Sequence, residues 1–369
     1  MLPSLDFDIS FADDLKGRFS YSKTIARAGL TNLFATVSGF GTVGSTFNGA
    51  QPTANRGDPS LVPLESNNFD ISTEWYFDDT SYASIGLFEK RVSNFIGTDQ
   101  IDESHFGIRD QTNGALIQQA ADELEALGVF ANDTSLFVMA ALLNNPDGSD
   151  LQVDPADASY PDGFPGGAAD FVTFDEDPTR VDPDFAAAVA TDYDIPQTDP
   201  NDPLMIFRTA TPVGNREAKL YGAELAVQHF FGDTGFGVQA NYTIVRGDIG
   251  FNDEGDPSVA QFALTGLSDT ANMVLMYEDH GIQARLAYNW RDEYLNQVNR
   301  GNSRNPTYVE AYDQIDLNVS YSVTDNLSVS FEGLNIAGSD IRHHGRTQGM
   351  LYYLNDLSPR YTLGARYTF

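Results

Sequence analysis

Large apolar residues recur at every second position along much of this chain. Ile282, Ala284, Leu286, Tyr288 and Trp290 interleave with Gln283, Arg285, Asn289 and Arg291. Ile315, Leu317, Val319 and Tyr321 interleave with Gln314, Asp316, Asn318 and Ser320, and Leu5, Phe7, Ile9 and Phe11 with Asp6, Asp8 and Ser10. A period of two predicts β-strands with one apolar and one polar face. Less regular versions occupy 15–26, 67–77, 81–96, 216–230, 235–248, 268–277 and 326–337. The last residues, RYTLGARYTF, alternate in the same way, with Tyr361, Leu363, Ala365, Tyr367 and Phe369 on one side. About eleven strands are predicted.

The connections fall into two classes. Short ones read FADDL, YFDDTSY, FFGDTGF, YEDHGI and SVTDNL, the Asp/Gly/Asn/Thr composition of tight hairpins. Long ones span 27–66, 97–215, 249–266, 293–310 and 338–352. Short turns on one side and long loops on the other form the pattern of an outer-membrane barrel, with the short turns periplasmic. Aromatics cluster at the short-turn ends: Phe11, Tyr76, Phe77, Phe230, Phe231, Phe236, Tyr277, Tyr321 and Phe369. An interfacial girdle explains a chain that stops on an aromatic ring, which would otherwise fray in water. A soluble sandwich also alternates, but with shorter strands and without loops segregated by length.

Composition sharpens this picture at one place. The chain holds 53 acidic and 21 basic residues, a net charge of −32, which disfavours nucleic acid as a partner. Residues 97–214 contain 23 of the acids, three arginines and no lysine. Within them, GALIQQAADELEALGVF sets Leu116, Ala120, Leu124 and Leu127 near helical spacing, and SLFVMAALL suggests a second short helix. The remainder is rich in Asp, Pro and Gly, so the block is expected to be an acidic, partly helical extracellular loop over the barrel mouth. It divides the chain into strands at 1–96, the insert at 97–214 and strands at 215–369. Cysteine is absent, which excludes disulfides and thiolate chemistry. No window approaches a membrane-spanning helix, and MLPSLDFDIS has no signal-peptide pattern.

Several stretches together resemble a known family. RGDPSLVPLESNNFDISTEWYF (56–77), LTGLSDTANMVLMYEDHGIQARLAYNWRDEYL (264–295), NLSVSFEGLNIAG (326–338) and the terminal YTLGARYTF look like barrel strands of TonB-dependent outer-membrane receptors. The closest likeness is to a proteobacterial subgroup associated with carbohydrate uptake. The resemblance implies an all-β, antiparallel transmembrane barrel, of which these are about eleven C-terminal strands of twenty-two. It also implies a terminal assembly signal at Tyr367 and Phe369, read by the barrel-assembly machinery. No segment resembles the family's plug or TonB box, so the sequence reads as the C-terminal half of a receptor barrel. Contact with the TonB complex would run through that N-terminal region.

Candidate chemistry follows. Gln239, Asn241, Arg246, Gln283, Arg285, Asn289, Arg291, Gln314, Asp316 and Asn318 are expected to face the barrel lumen. Tyr294, Asn296, Arg300, Tyr352 and Tyr353, in the long loops, are candidate contacts for an extracellular ligand, because aromatic rings stack on sugars. No G-x-S-x-G or H-E-x-x-H motif occurs, and no enzyme activity is expected. His343 and His344 are adjacent, so in an extended segment their side chains diverge, and no metal site or cofactor is assigned. Asp150, Asp154 and Asp157 lack EF-hand spacing, which leaves adventitious Ca²⁺ as the only cation reading. The expected function is energy-coupled uptake of a large, scarce solute, an oligosaccharide or siderophore-type ligand. The alternative is passive diffusion through a porin, and a barrel enzyme or adhesin lacks its defining residues. The outer-membrane lipid is the remaining partner.

Overall fold

The computed structural model describes residues 2–41, 47, 51–146, 159–193, 199–301 and 303–369. Asp150, Asp154 and Asp157 lie outside these residues. Eleven strands succeed one another edge to edge in chain order. They are β1 (Ser4–Ser10), β2 (Leu15–Ala26), β3 (Leu64–Asp78), β4 (Ser81–Arg109), β5 (Leu204–Phe230) and β6 (Phe236–Gly247). Then follow β7 (Thr270–Asp279), β8 (Ile282–Arg291), β9 (Tyr312–Ser322), β10 (Leu327–Leu334) and β11 (Arg360–Tyr367). Pairing is antiparallel from β1 to β4 and from β5 to β11. β1 and β11 are the two ends of this path. The chain divides into two compact units, residues 1–35, 57–99 and 212–369, and residues 36–56 and 100–211.

In the first unit, register turns the period of two into a continuous face. Leu275 sits opposite Leu286, which sits opposite Leu317, and Met273, Tyr288 and Ile315 form the next row. The rows continue through Val319, Phe331 and Leu363 on one side, and through Phe7, Phe19, Ile71 and Leu87 on the other. These side chains are turned outward: Phe7 is 57% exposed, Ile71 56% and Leu363 83%. A water-soluble sheet would bury such a face, whereas a lipid-facing sheet displays it. The buried core here is small, Val92, Ala218 and Leu264 with Leu64, Phe95 and Ile249 around them. The short connections 11–14, 79–80, 231–235, 280–281 and 323–326 gather at one end of the sheet, and the long loops at the other. Positive φ at His280 and Gly281 gives the tight Asp279–Ile282 turn its geometry.

The second unit has a conventional core. Helices α1 (Ala115–Leu127), α2 (Asp133–Asn144) and α3 (Pro183–Asp192) pack around two buried clusters. α1 stops at Gly128, whose left-handed φ of 71° lets its N–H and that of Val129 reach back to Glu125 and Leu124. α2 starts in a capping box between Asn132 and Ser135 and is apolar nearly all round, because it is the central helix of the three. α3 is capped by Asp182, which accepts from Phe185 N–H at 2.8 Å, with Pro183 in the first turn. Short strands Val37–Ser38 and Thr53–Arg56 pair with each other, and the latter runs parallel to β5.

The structure departs from the sequence pattern in two places. β4 runs on to Arg109 and β5 begins at Leu204, beyond the ends of the alternation at 96 and 216. Thr98, Asp99, Gln100, Asp102 and Glu103 put polar residues on both faces there, so the two-sided signal vanishes while the strand continues. The long loops also carry short strands of their own. Tyr294–Gln297, Thr307–Val309, Ile341–His344 and Leu351–Asn355 make a separate four-stranded sheet.

Candidate functional site

Strand register places the expected lumen residues. Arg285 lies opposite Met276 and Asn318, Asn289 opposite Asn272 and Gln314, and Arg291 opposite Thr270 and Tyr312. All three project from the polar face, as does Asp316, which accepts from Gln314 Nε2 at 2.8 Å and Asn335 N–H at 2.9 Å. Arg246 does not join them. It sits opposite Tyr221 in an unbroken register, an even number of residues from Ala240 and Tyr242, and so shares their side of the sheet. Gln239 and Asn241 are on the opposite side. Arg246 is tolerated because it lies at the loop end of β6, where its guanidinium bends to Asp269 (Nη2 to Oδ2, 2.9 Å).

Four of the five ligand candidates lie on the loop sheet, Tyr294 and Asn296 on one edge strand and Tyr352 and Tyr353 on the other, with Arg300 in the loop between. Tyr294 opens its first strand, and the Arg291 guanidinium lies 4.4 Å from the Tyr294 ring centre. Asn296 falls at a bulge between Leu295 and Gln297 and is exposed. Tyr352 and Tyr353 belong to the last strand, Leu351–Asn355. Arg300 reaches across from another loop to lie 4.3 Å over the Tyr352 ring. Tyr353 is 47% exposed and packs on His343 at 5.0 Å. The Arg300 guanidinium stacked on the Tyr352 phenol is a flat polar-aromatic contact suited to rings and planar anions.

What holds this surface is a residue not singled out from the sequence. Arg346 donates from Nη1 to the carbonyls of Asp253 and Gly255, both at 2.7 Å, and from Nε to Asn305 Oδ1 at 3.3 Å. Its Cζ also stands 5.3 Å from the Phe251 ring. Three long loops are thereby tied at one guanidinium, whose planar fork suits several carbonyls at once. A second tie runs through Tyr308, which donates to Asp253 Oδ2 at 2.9 Å. Burial, with Asp253 beside it, pushes the Tyr308 phenol well above the usual tyrosine range. His344 stacks on Tyr308 and turns one nitrogen to Glu293 Oε2 (3.1 Å) and the other to Gly345 O (2.7 Å). His343 and His344 thus point to different neighbours. Among the described residues no group of three or more His, Cys, Asp or Glu side chains is placed to hold a metal. A lone arginine in the glycine-flanked run HHGRTQG of an acid-rich chain was the available signal for Arg346.

A family model described as "TonB dependent receptor-like, beta-barrel" matches residues 2–336. The chain belongs to the TonB-dependent receptor family. Members of this family are outer-membrane transport receptors, and the eleven strands are barrel strands of that kind. A comparison with curated proteins finds no match. Among solved structures, the chain is similar to a mutant of the ferric enterobactin receptor of Pseudomonas aeruginosa, with 12% identity and a TM-score of 0.52. That match covers 99% of this chain and 40% of the receptor. It is also similar to a siderophore receptor of Acinetobacter baumannii, with 12% identity and a TM-score of 0.53 over 100% of this chain and 41% of that one. At such identities the likeness is one of fold. This TonB-dependent receptor chain spans about two fifths of their length.

Proposed function

We propose that the chain acts in the bacterial outer membrane as part of a receptor for energy-coupled uptake of a large, scarce solute, of the oligosaccharide or siderophore type. One observation carries this reading. The loops opposite the hairpins are not loose: Arg346 and Tyr308 tie the 249–266 loop to the four-stranded sheet formed by two others, whose last strand carries Tyr352 under the Arg300 guanidinium. A rigid aromatic-cationic surface captures a ligand with little ordering cost. The polar face with Arg285, Asn289, Arg291 and Asp316 lines the passage, and the apolar face meets lipid. Tyr367 and Phe369, whose rings lie 5.1 Å apart edge to face, form the terminal signal for barrel assembly. Energy comes from the TonB complex.

The test is binding and uptake by the assembled receptor, screened with ferric catecholate and hydroxamate complexes and with maltooligosaccharides. Arg300→Ala combined with Tyr352→Ala should weaken binding of the accepted solute by about 5- to 150-fold, since each stacked contact is worth roughly 0.5–1.5 kcal/mol. Removing TonB should abolish its accumulation. Uptake that persists without TonB, or binding indifferent to both substitutions, contradicts the proposal.

A further inference from the structure

We propose that the helical unit (residues 36–56 and 100–211) binds one neutral sugar ring of hexose size in a cavity at the start of α1. The cavity measures about 200 Å³, and Phe47, Gln111, Leu116, Asn144, Asp199 and Asp202 are among its lining residues. Sites for drug-sized ligands span roughly 300–1,000 Å³, so this one takes a single ring. Its walls are tied to one another within the unit. Arg109 donates from Nη1 to Asp202 O at 2.9 Å, the Asp110 N–H reaches Pro203 O at 2.9 Å, and the Asp199 N–H reaches Asp202 Oδ2 at 2.7 Å. Gly114 allows the carboxylate its place, because a Cβ there would lie 2.2 Å from Asp202 Oδ1.

The groups with bonding capacity left over here suit a hydroxylated ligand. Asp202 is only 8% exposed, and its Oδ1 has no hydrogen-bond partner among the described residues. The side-chain amides of Gln111 and Asn144 likewise bond nothing among those residues. α1 begins without a side-chain cap, which leaves the N–H groups of its first turn open to the same space. A hydroxyl donates one hydrogen bond and accepts others. A carboxylate oxygen that only accepts, main-chain N–H groups that only donate and two amides that do both are the complement of adjacent hydroxyls on a ring. Phe47 and Leu116 give an apolar wall for the C–H face of that ring. Charge argues against other small ligands. No arginine or lysine lines the cavity among the described residues, so an anion finds no counter-charge. A cation finds little more, because the α1 N-terminus sets about half a positive charge against Asp202. Asp199 already turns Oδ1 to the N–H and Nδ2 of Asn201, at 2.7 and 2.8 Å. The site does not rest on the uptake reading, since a sugar ring can bind here whichever solute is carried.

The probes are D-glucose, D-galactose and D-mannose, with methylammonium and acetate as charged counterparts. In the full chain, held in a detergent without a sugar headgroup, saturation-transfer NMR should show at least one hexose bound with millimolar affinity. Gln111→Ala and Asn144→Ala remove amides that bond nothing else, so the fold should stand. Each should weaken hexose binding roughly 2- to 13-fold, the range for one neutral hydrogen bond. Asp202→Asn should weaken it more than either, since a charged acceptor bonds about twice as strongly as a neutral one. Asp175→Asn with Glu176→Gln, in an exposed turn, should leave it unchanged. The bound hexose should also slow hydrogen exchange in the first turn of α1. Silence from all three hexoses, binding of methylammonium or acetate alone, or a hexose affinity that survives Gln111→Ala combined with Asn144→Ala overturns the proposal.

Discussion

Replacing Arg346 by alanine should release the loop surface without touching the barrel strands. The guanidinium makes two bonds of 2.7 Å to main-chain carbonyls and one of 3.3 Å to Asn305, while its approach to Arg304 O at 3.5 Å is too long to weigh. Hydrogen bonds from a charged donor are worth about 1.5–3 kcal/mol each when the partner would otherwise go unsatisfied. Arg346 is half-buried, so water replaces part of what is lost, and about 2–4 kcal/mol is the expected cost to the local closed state. In exchange terms this is roughly a 30- to 1,000-fold fall in protection. Hydrogen–deuterium exchange should show it in Thr307–Val309, Ile341–His344 and Leu351–Asn355, with β7 and β8 unchanged. Arg346→Lys should recover only part, because an ammonium offers a point charge where a fork is needed. Unchanged exchange in all three loop strands would refute the role assigned to this residue.

Leu286 lies at the fifth of the ten residues of β8, about 14 Å along the strand from its turn, which sets it near mid-depth of an apolar band of about 25 Å. Leu286→Arg should therefore cost about 2–4 kcal/mol and lower the amount of assembled protein, while Asn289→Arg on the polar face should be mild. Equal losses would mean that the faces are exchanged. Protease added to intact cells should cut within residues 97–214 and spare the strands; cleavage only after the outer membrane is permeabilised would reverse the orientation. Tyr308 should remain protonated after the exposed tyrosines have titrated, as followed by ultraviolet absorption. Because its folded pKa is raised, its contribution to stability is complete below the ordinary tyrosine value of about 10 and fades as pH climbs through the folded one. An absorbance curve that Tyr308→Phe leaves unaltered at its alkaline end would exclude this.

The barrel strands were legible because one face is apolar and the other polar, so the period of two survives over whole strands such as 282–291. Where both faces are polar, as from Thr98 to Glu103 in β4, the signal fails although the hydrogen-bond ladder continues. Helices α1 and α2 announced themselves by apolar spacing. α3 hid inside an Asp/Pro-rich run, yet its Asp182-Pro183 start followed by AAAVA is a capping signature that could have been read. Tyr294, Asn296, Tyr352 and Tyr353 fall on the two edge strands of one sheet and Arg300 on a loop beside it, but the sheet itself was invisible, since its strands are three to five residues long and pair across separate loops. Arg246 shows how narrow the margin is. Grouping it with Gln239 and Asn241 by polarity ignored a parity that the register enforces. Arg346 acts through main-chain carbonyls contributed by distant loops, which no local pattern encodes.

The central claim is that one face of this sheet meets lipid and the other meets water. Because the chain has no cysteine, single substitutions such as Arg285→Cys, Leu286→Cys, Tyr288→Cys and Asn289→Cys can each carry one spin label. With the protein assembled in outer-membrane vesicles, collision rates with dissolved oxygen and with a water-soluble nickel chelate are measured at each site. Labels at 286 and 288 should favour oxygen and those at 285 and 289 the chelate, alternating strictly along β8. Labels that all favour the chelate, or that show no alternation, would contradict a membrane-spanning barrel strand and the transport function built on it.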